Sequence, residues 1–225
     1  MHGRKKKEER MDDKIIGWIG TGVMGNSMAG NLMKAGYKVF VTNRTKEKAR
    51  ELTGRGAAWC ETPAAVARKA KTIFTIVGFP GDVESVIFGS DGLINNAAPG
   101  STLIDMTTSR PSLAVRISEA AKEKSIDTID APVSGGNIKT KKNKLAIMAN
   151  NKHSVYEKIL PLFRILGENI ALMGGPKNNQ HTKMSNQILV ASTMIDTIKT
   201  LLYTYKTGLD RGSVIDIIGK KTAAS

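Results

Sequence analysis

A single cysteine, Cys60, stands in 225 residues. One thiol closes no internal disulfide and builds no cysteine-cluster metal site, so a cross-linked scaffold is excluded and no metal is expected. No histidine lies near Cys60 in the chain, and the residue is expected to be small, buried or half-buried, and not a nucleophile. Long apolar runs are also missing, since none approaches the roughly 18 residues of a membrane span. The first ten residues carry Lys5-Lys6-Lys7 beside Glu8-Glu9 with no apolar stretch after them, so no secretory signal is expected there. Residues 1–13 are expected to be a basic tail, and the protein to be cytoplasmic with no membrane partner.

Acidic residues are scarce: 20 Asp and Glu face 34 Lys and Arg, for a net charge of +14. Such a balance raises the question of a nucleic-acid partner. The excess is clustered, with Lys139, Lys141, Lys142, Lys144 and Lys152 lying in a stretch free of acids. That stretch also has no aromatic residue, and stacking platforms are what single-strand binding usually adds to charge. A solvated basic loop is the simpler reading, and a nucleic-acid partner is not favoured. A dinucleotide or an acidic substrate suits a positive protein equally well.

What is present is alternation. The apolar run Lys14 to Gly20 reads as a strand, and Val23 to Ala35 carries Met24, Met28, Leu32 and Ala35 at helical spacing. Gly36 stops that helix and Tyr37 to Thr42 reads as the next strand. Helix Lys46 to Leu52 and helix Pro63 to Ala70 follow, the latter capped by Thr62, then strand Thr72 to Val77. Helix Asp82 to Phe88, strand Thr102 to Asp105, helix Pro111 to Lys124 and strand Ile126 to Asp130 continue the series. Strand Leu145 to Ala149, helix Ser154 to Leu166 and strand Asn169 to Met173 come later. The pattern predicts an α/β, Rossmann-type doubly wound, mostly parallel sheet over residues 14–177. Residues 178–225 are expected to be a long interdomain helix and the truncated start of an all-α domain. Its apolar face (Met184, Ile188, Leu189, Ile195, Ile198, Leu201, Leu202, Tyr205) is too large for the remaining residues to bury alone.

Three glycines open the first predicted helix, in Gly20-Thr21-Gly22-Val23-Met24-Gly25. The spacing by itself is weak, but here it follows a strand and begins a helix. In that setting Gly20 permits the turn, Gly22 admits a pyrophosphate to the backbone, and Gly25 lets helix and strand pack. The helix N-terminus offers N–H groups to the phosphates. Where an acidic residue would accept the ribose 2′-hydroxyl of NAD, the chain has Asn43-Arg44-Thr45. No carboxylate opposes a 2′-phosphate there, and Arg44 with Thr45 suits one, so NADP is preferred over NAD.

Further on, Ser134-Gly135-Gly136 follows a strand and is either a small carboxylate cradle or an ordinary glycine turn. Lys183, Asn186 and Gln187 stand at i, i+3 and i+4 and share one helical face. From spacing alone a solvated lysine is the simpler reading, and a proton donor near a hydride-transfer site is the alternative. His181 reads as a surface or capping residue.

Taken together, Gly17 to Gly25, Met28-Ala29-Gly30-Asn31-Leu32, Asn43-Arg44-Thr45, Ile104 to Thr108, Asp130 to Gly136 and Lys183-x-x-Asn186-Gln187 resemble the β-hydroxyacid dehydrogenase family, which includes 3-hydroxyisobutyrate dehydrogenase and the glyoxylate/succinic semialdehyde reductases. The resemblance implies nicotinamide-dependent interconversion of a short β-hydroxy acid and its semialdehyde. It implies Lys183 as the catalytic lysine, and Asn186 and Gln187 as amides holding the substrate. It places Ser134, Gly135 and Gly136 at the substrate carboxylate, and Phe79, Pro80, Thr107 and Thr108 beside the nicotinamide. It also implies a homo-oligomer, provided the family's further C-terminal helices exist. The sequence departs from the family where Lys139, Asn143, Asn150, Lys177 and Asn179 replace glycines and Lys199 replaces a glutamate, replacements expected to be compositional drift. A non-catalytic NADP-binding or chromatin-associated relative, or an inactive truncated product, stands as the alternative to an enzyme.

Overall fold

The computed structural model describes residues 14–150, 153–174 and 178–219. These fall into two units, one running through Lys183 and one beginning at Met184. In the first, Ile15–Ile19 (β1) leads through the glycine turn into Val23–Lys34 (α1) and then Lys38–Thr42 (β2). A 3-10 turn at Lys46–Ala49 runs into Arg50–Gly54 (α2), followed by Ala58–Trp59 (β3). Pro63–Ala67 (α3) starts where Thr62 Oγ1 accepts from the Ala65 N–H at 3.2 Å, with Pro63 at the first position. Thr72–Thr75 (β4), Pro80–Phe88 (α4), Leu93–Asn96 (α5), Thr102–Asp105 (β5), Pro111–Glu123 (α6) and Asp127–Asp130 (β6) complete the series.

These six strands pair in parallel in the order β3-β2-β1-β4-β5-β6. The winding reverses between β1 and β4, and open sheets of this kind take their ligands beyond the carboxyl ends of the strands at that point. Central strands are apolar almost throughout because helices cover both faces. Trp18 of β1 and Phe74 of β4 are wholly buried and stack at 5.3 Å, with Phe163 edge-on to Phe74 at 6.5 Å.

After β6 the chain builds a second, smaller sheet. Val133–Ser134 (β7), Gly136–Lys141 (α7), Leu145–Ala149 (β8), His153–Leu166 (α8) and Gly167–Leu172 (β9) follow in order. β7 runs antiparallel to β8, and β9 parallel to it. The later strands therefore form a separate three-stranded sheet, whose first strand ends on Ser134 at the start of the expected glycine turn. β3, α5, β7 and α7 span two to six residues each, too few for a period of 2 or 3.6 to show.

Asn178–Lys206 (α9) crosses from the first unit into the second, where Arg211–Ile217 (α10) follows, capped by the Asp210 carboxylate on Ser213 N–H at 2.7 Å. Along α9 the hydroxyls of Thr193, Thr197, Thr200 and Thr204 each donate to the carbonyl four residues back, so these polar groups are satisfied within the helix. Most of its apolar side chains are exposed, among them Ile188 at 61% and Leu189 at 67%, while Leu201 is half-buried. No described helix is long and apolar enough to cross a membrane.

Candidate functional site

The three glycines have three different environments. Gly20 takes φ +97°, and a Cβ there would lie 2.0 Å from the Ile76 carbonyl oxygen. At Gly25 a Cβ would lie 2.1 Å from the Gly20 carbonyl oxygen, so the start of α1 packs directly on the turn. At Gly22 a Cβ would meet nothing within 4 Å. Two of the glycines are thus demanded by the fold and the third opens onto free space. Gly22 is the N-cap of α1, with no side-chain cap and no acid in the helix's first turn, which leaves the positive end of the helix to an outside anion. Thr21 is buried, and its hydroxyl has no hydrogen-bond partner among the described residues. Val23 is exposed and Met24 half-buried. An open glycine, an uncapped helix start and an unpartnered hydroxyl fit a dinucleotide's phosphates.

Asn43, just past β2, ties this turn down: its Oδ1 accepts from Thr21 N–H at 3.0 Å and its Nδ2 donates to the Thr45 carbonyl at 2.8 Å. Arg44 and Thr45 are exposed beside it. Arg44 Nη1 lies 2.9 Å from Asp82 Oδ1 on α4. Lys46 turns elsewhere, to Glu61 at 3.2 Å and over the Trp59 ring. Phe79, 72% exposed, precedes α4, and Pro80 is that helix's first residue. Thr107 is buried after β5 and its Oγ1 accepts from Val77 N–H at 3.1 Å, while Thr108 is exposed. The structure therefore brings the glycine turn, Asn43, Phe79-Pro80 and Thr107 together at the carboxyl ends of β1, β2, β4 and β5.

At the ends of β5 and β6 lies a polar cluster that spacing does not reveal. Asp105 Oδ1 accepts from Thr75 Oγ1 at 2.9 Å and from Thr107 N–H at 3.0 Å. Gln180, buried in the first turn of α9, donates from Nε2 to Asp130 Oδ1 at 2.7 Å and to the Thr107 carbonyl at 3.0 Å, and its Oε1 accepts from Ser109 N–H at 3.0 Å. Asn150 Oδ1 accepts from Asp130 N–H at 2.9 Å, and Asn179 Nδ2 donates to the Asp130 carbonyl. Burial, reinforced by the nearby Asp105 charge, pushes the Asp130 carboxyl up to about 8. Burial likewise raises Asp105. Asn150 and Asn179, expected to be drift, are 5% and 0% exposed and bond the backbone on either side of Asp130. Of the other glycine replacements, Asn143 takes φ +58°, a conformation asparagine tolerates, whereas Lys139 is helical. Lys177 lies outside the described residues.

This cluster fixes the start of α9, and Lys183 follows one turn later. Lys183 is only 6% exposed, so it is not a solvated surface lysine, and desolvation lowers its pKa from the ordinary lysine value. Ser134 is half-buried at the end of β7. Gly135 (φ +139°) and Gly136 (φ +60°) occupy conformations that favour glycine, leading into α7. Asn186 and Gln187 belong to the second unit, where Asn186 is half-buried, Gln187 is exposed, and the two amides lie 3.5 Å apart. His181 is exposed. Cys60 is buried, and its thiol is pushed up by desolvation. Among the described residues no group of three or more His, Cys, Asp or Glu could hold a metal ion.

Residues 15–175 match the family model of the NAD binding domain of 6-phosphogluconate dehydrogenase. The chain is 47% identical over 212 residues to the uncharacterized oxidoreductase YkwC of Bacillus subtilis, covering 94% of this chain and 74% of that one. It is 44% identical over 211 residues to the probable mitochondrial 3-hydroxyisobutyrate dehydrogenase-like 1 of Arabidopsis thaliana, covering 93% of this chain and 63% of that one. The chain belongs to the β-hydroxyacid dehydrogenase family. Among solved structures of similar fold, Psf3 in complex with NADP+ and 2-OPP superposes with a TM-score of 0.88 at 26% identity, covering 93% of this chain and 74% of that one. The chain thus spans about two thirds to three quarters of the length of these relatives. The Rossmann sheet and the nicotinamide-dinucleotide domain expected from sequence are those of a β-hydroxyacid dehydrogenase.

Proposed function

We propose that this β-hydroxyacid dehydrogenase interconverts a short β-hydroxy acid and its semialdehyde, with NADP preferred to NAD and Lys183 as general acid and base. The observation that carries the reading is the placement of Lys183. It is buried one turn beyond Gln180, whose amide bonds hold the helix to the ends of β5 and β6, on the sheet edge that also bears the glycine turn. When bound, the nicotinamide supplies or accepts the hydride, and Gly20 to Gly25, Asn43, Arg44, Thr45, Phe79, Pro80, Thr107 and Thr108 are the residues that would hold its dinucleotide. Lys183 gives a proton to the carbonyl oxygen in reduction and removes it from the hydroxyl in oxidation. Its lowered pKa makes it a stronger acid near neutrality than an exposed lysine. Ser134, Gly135 and Gly136 would take the substrate carboxylate.

NADPH and NADH oxidation against glyoxylate, succinic semialdehyde, methylmalonate semialdehyde and tartronate semialdehyde tests this reading. Turnover is expected with at least one aldehyde, and Lys183→Ala is expected to abolish it while leaving dinucleotide affinity nearly intact. An unchanged kcat in Lys183→Ala would remove the lysine from the mechanism.

A further inference from the structure

We propose that Asp82 is a coenzyme-specificity residue, whose carboxylate holds Arg44 across the mouth of the glycine turn and opposes a 2′-phosphate there. The inference rests on the proposed dinucleotide site and adds to it a residue that sets the choice between the two coenzymes.

The topology places the pair. Arg44 lies just beyond the carboxyl end of β2, and Asp82 lies in the first turn of α4, which follows β4. In the sheet β2 and β4 are the two neighbours of β1. A bond from Arg44 to Asp82 therefore crosses in front of β1 and the turn it feeds. The two partners differ in how firmly they are held. Asp82 is anchored, its side chain 27% exposed: Oδ2 accepts from Phe79 N–H at 3.1 Å, so the carboxylate caps α4. Its other oxygen, Oδ1, takes Arg44 Nη1 at 2.9 Å. Arg44 has an 85% exposed side chain and is the movable member. Lys46, the next cation along the chain, is drawn away by Glu61 and the Trp59 ring.

A dinucleotide with a free 2′-hydroxyl leaves this pair intact over its adenosine half. One with a 2′-phosphate has to share or detach the guanidinium, and it brings its negative charge near a carboxylate that the helix cap prevents from retreating. Asp82 thus acts where NAD-type sites place an acid, but from α4 instead of from the end of β2. The sequence-based preference for NADP, which rests on the lack of an acid after β2, is accordingly reduced by an acid supplied from another element.

The test is binding, read by NADPH and NADH fluorescence titration of the full chain and of Asp82→Asn, which preserves the acceptor for the Phe79 N–H while removing the charge. The expected result is that Asp82→Asn shifts the NADPH to NADH affinity ratio toward NADPH by roughly fivefold, as suits removal of one partly exposed like charge, and that the shift shrinks in high salt. A ratio within twofold of wild type, in a protein that binds either coenzyme, overturns the role of Asp82 and leaves the proposed function standing. Binding of neither coenzyme by the wild-type chain overturns both.

Discussion

Two stations along the carboxyl edge of the parallel sheet are built on opposite principles. At the end of β1 the structure works by leaving side chains out: Gly20 and Gly25 would each bring a Cβ to about 2 Å from a backbone oxygen, and Gly22 opens onto empty space. At the ends of β5 and β6 it works by filling: Asp105, Asp130, Asn150, Asn179 and Gln180 interlock through hydrogen bonds that leave only Asp130 Oδ2 unpartnered among their buried side-chain oxygens and nitrogens. The first arrangement leaves bare backbone beside open space, the setting that the proposed dinucleotide's phosphates would use. The second uses polar groups to fix the end of a helix, so that Lys183 has a set position. One station accordingly fails when something is added, and the other when something is taken away.

The largest effect is expected from adding an atom at the first station. Gly25→Ala has to displace the Gly20 carbonyl from 2.1 Å, which requires backbone movement and costs about 1 to 3 kcal/mol by the measure of overpacked cores. Thermal unfolding should come several degrees lower, and dinucleotide binding should be lost with the turn. A variant that melts and binds like wild type would mean that the close approach of α1 to the turn is not a constraint.

A smaller and pH-dependent effect is expected at the second station. The folded protein holds the Asp130 proton up to about pH 8, while an unperturbed aspartate releases it near 3.8. Between those values the folded state binds more protons than the unfolded chain, so stability falls as pH rises from about 4 to about 8. Asp130→Asn, which mimics the neutral acid, should flatten that decline and be most favourable relative to wild type near pH 8. Melting temperatures across this range measure it, and an identical slope in the two proteins would show that Asp130 carries no extra proton.

The two stations also differ in how far the amino-acid order alone reveals them. The glycine turn is local: six consecutive residues between a strand and a helix carry their own reasons, and the structure finds Gly20 and Gly25 in close backbone contacts and Gly22 beside open space. The alternation of strands and helices is legible for the same reason, since the longer elements each show a period. The polar cluster gathers residues 105, 107, 109, 130, 150, 179 and 180, which are far apart in the chain, and hydrogen bonds between such distant side chains leave no periodic trace. Asn150 and Asn179 are conspicuous as departures from glycine, yet nothing local shows that both turn toward the backbone of Asp130. The burial of Lys183 is hidden similarly, because its helix is anchored by Gln180 and not by an apolar stripe. Arg44 is legible in the sequence as the proposed phosphate partner, whereas its ion pair with Asp82, 38 residues later, is not.

On the proposed reading, Gly22 is kept bare for a dinucleotide and not for the fold. Parallel thermal melts and NADPH titrations of wild type and Gly22→Ala separate the two, since a Cβ there meets no protein atom within 4 Å. Equal melting temperatures are expected, with an affinity for NADPH reduced by about tenfold or more, because the methyl occupies the approach to the pyrophosphate. Equal affinities, or a loss of binding explained by a lower melting temperature, would contradict it.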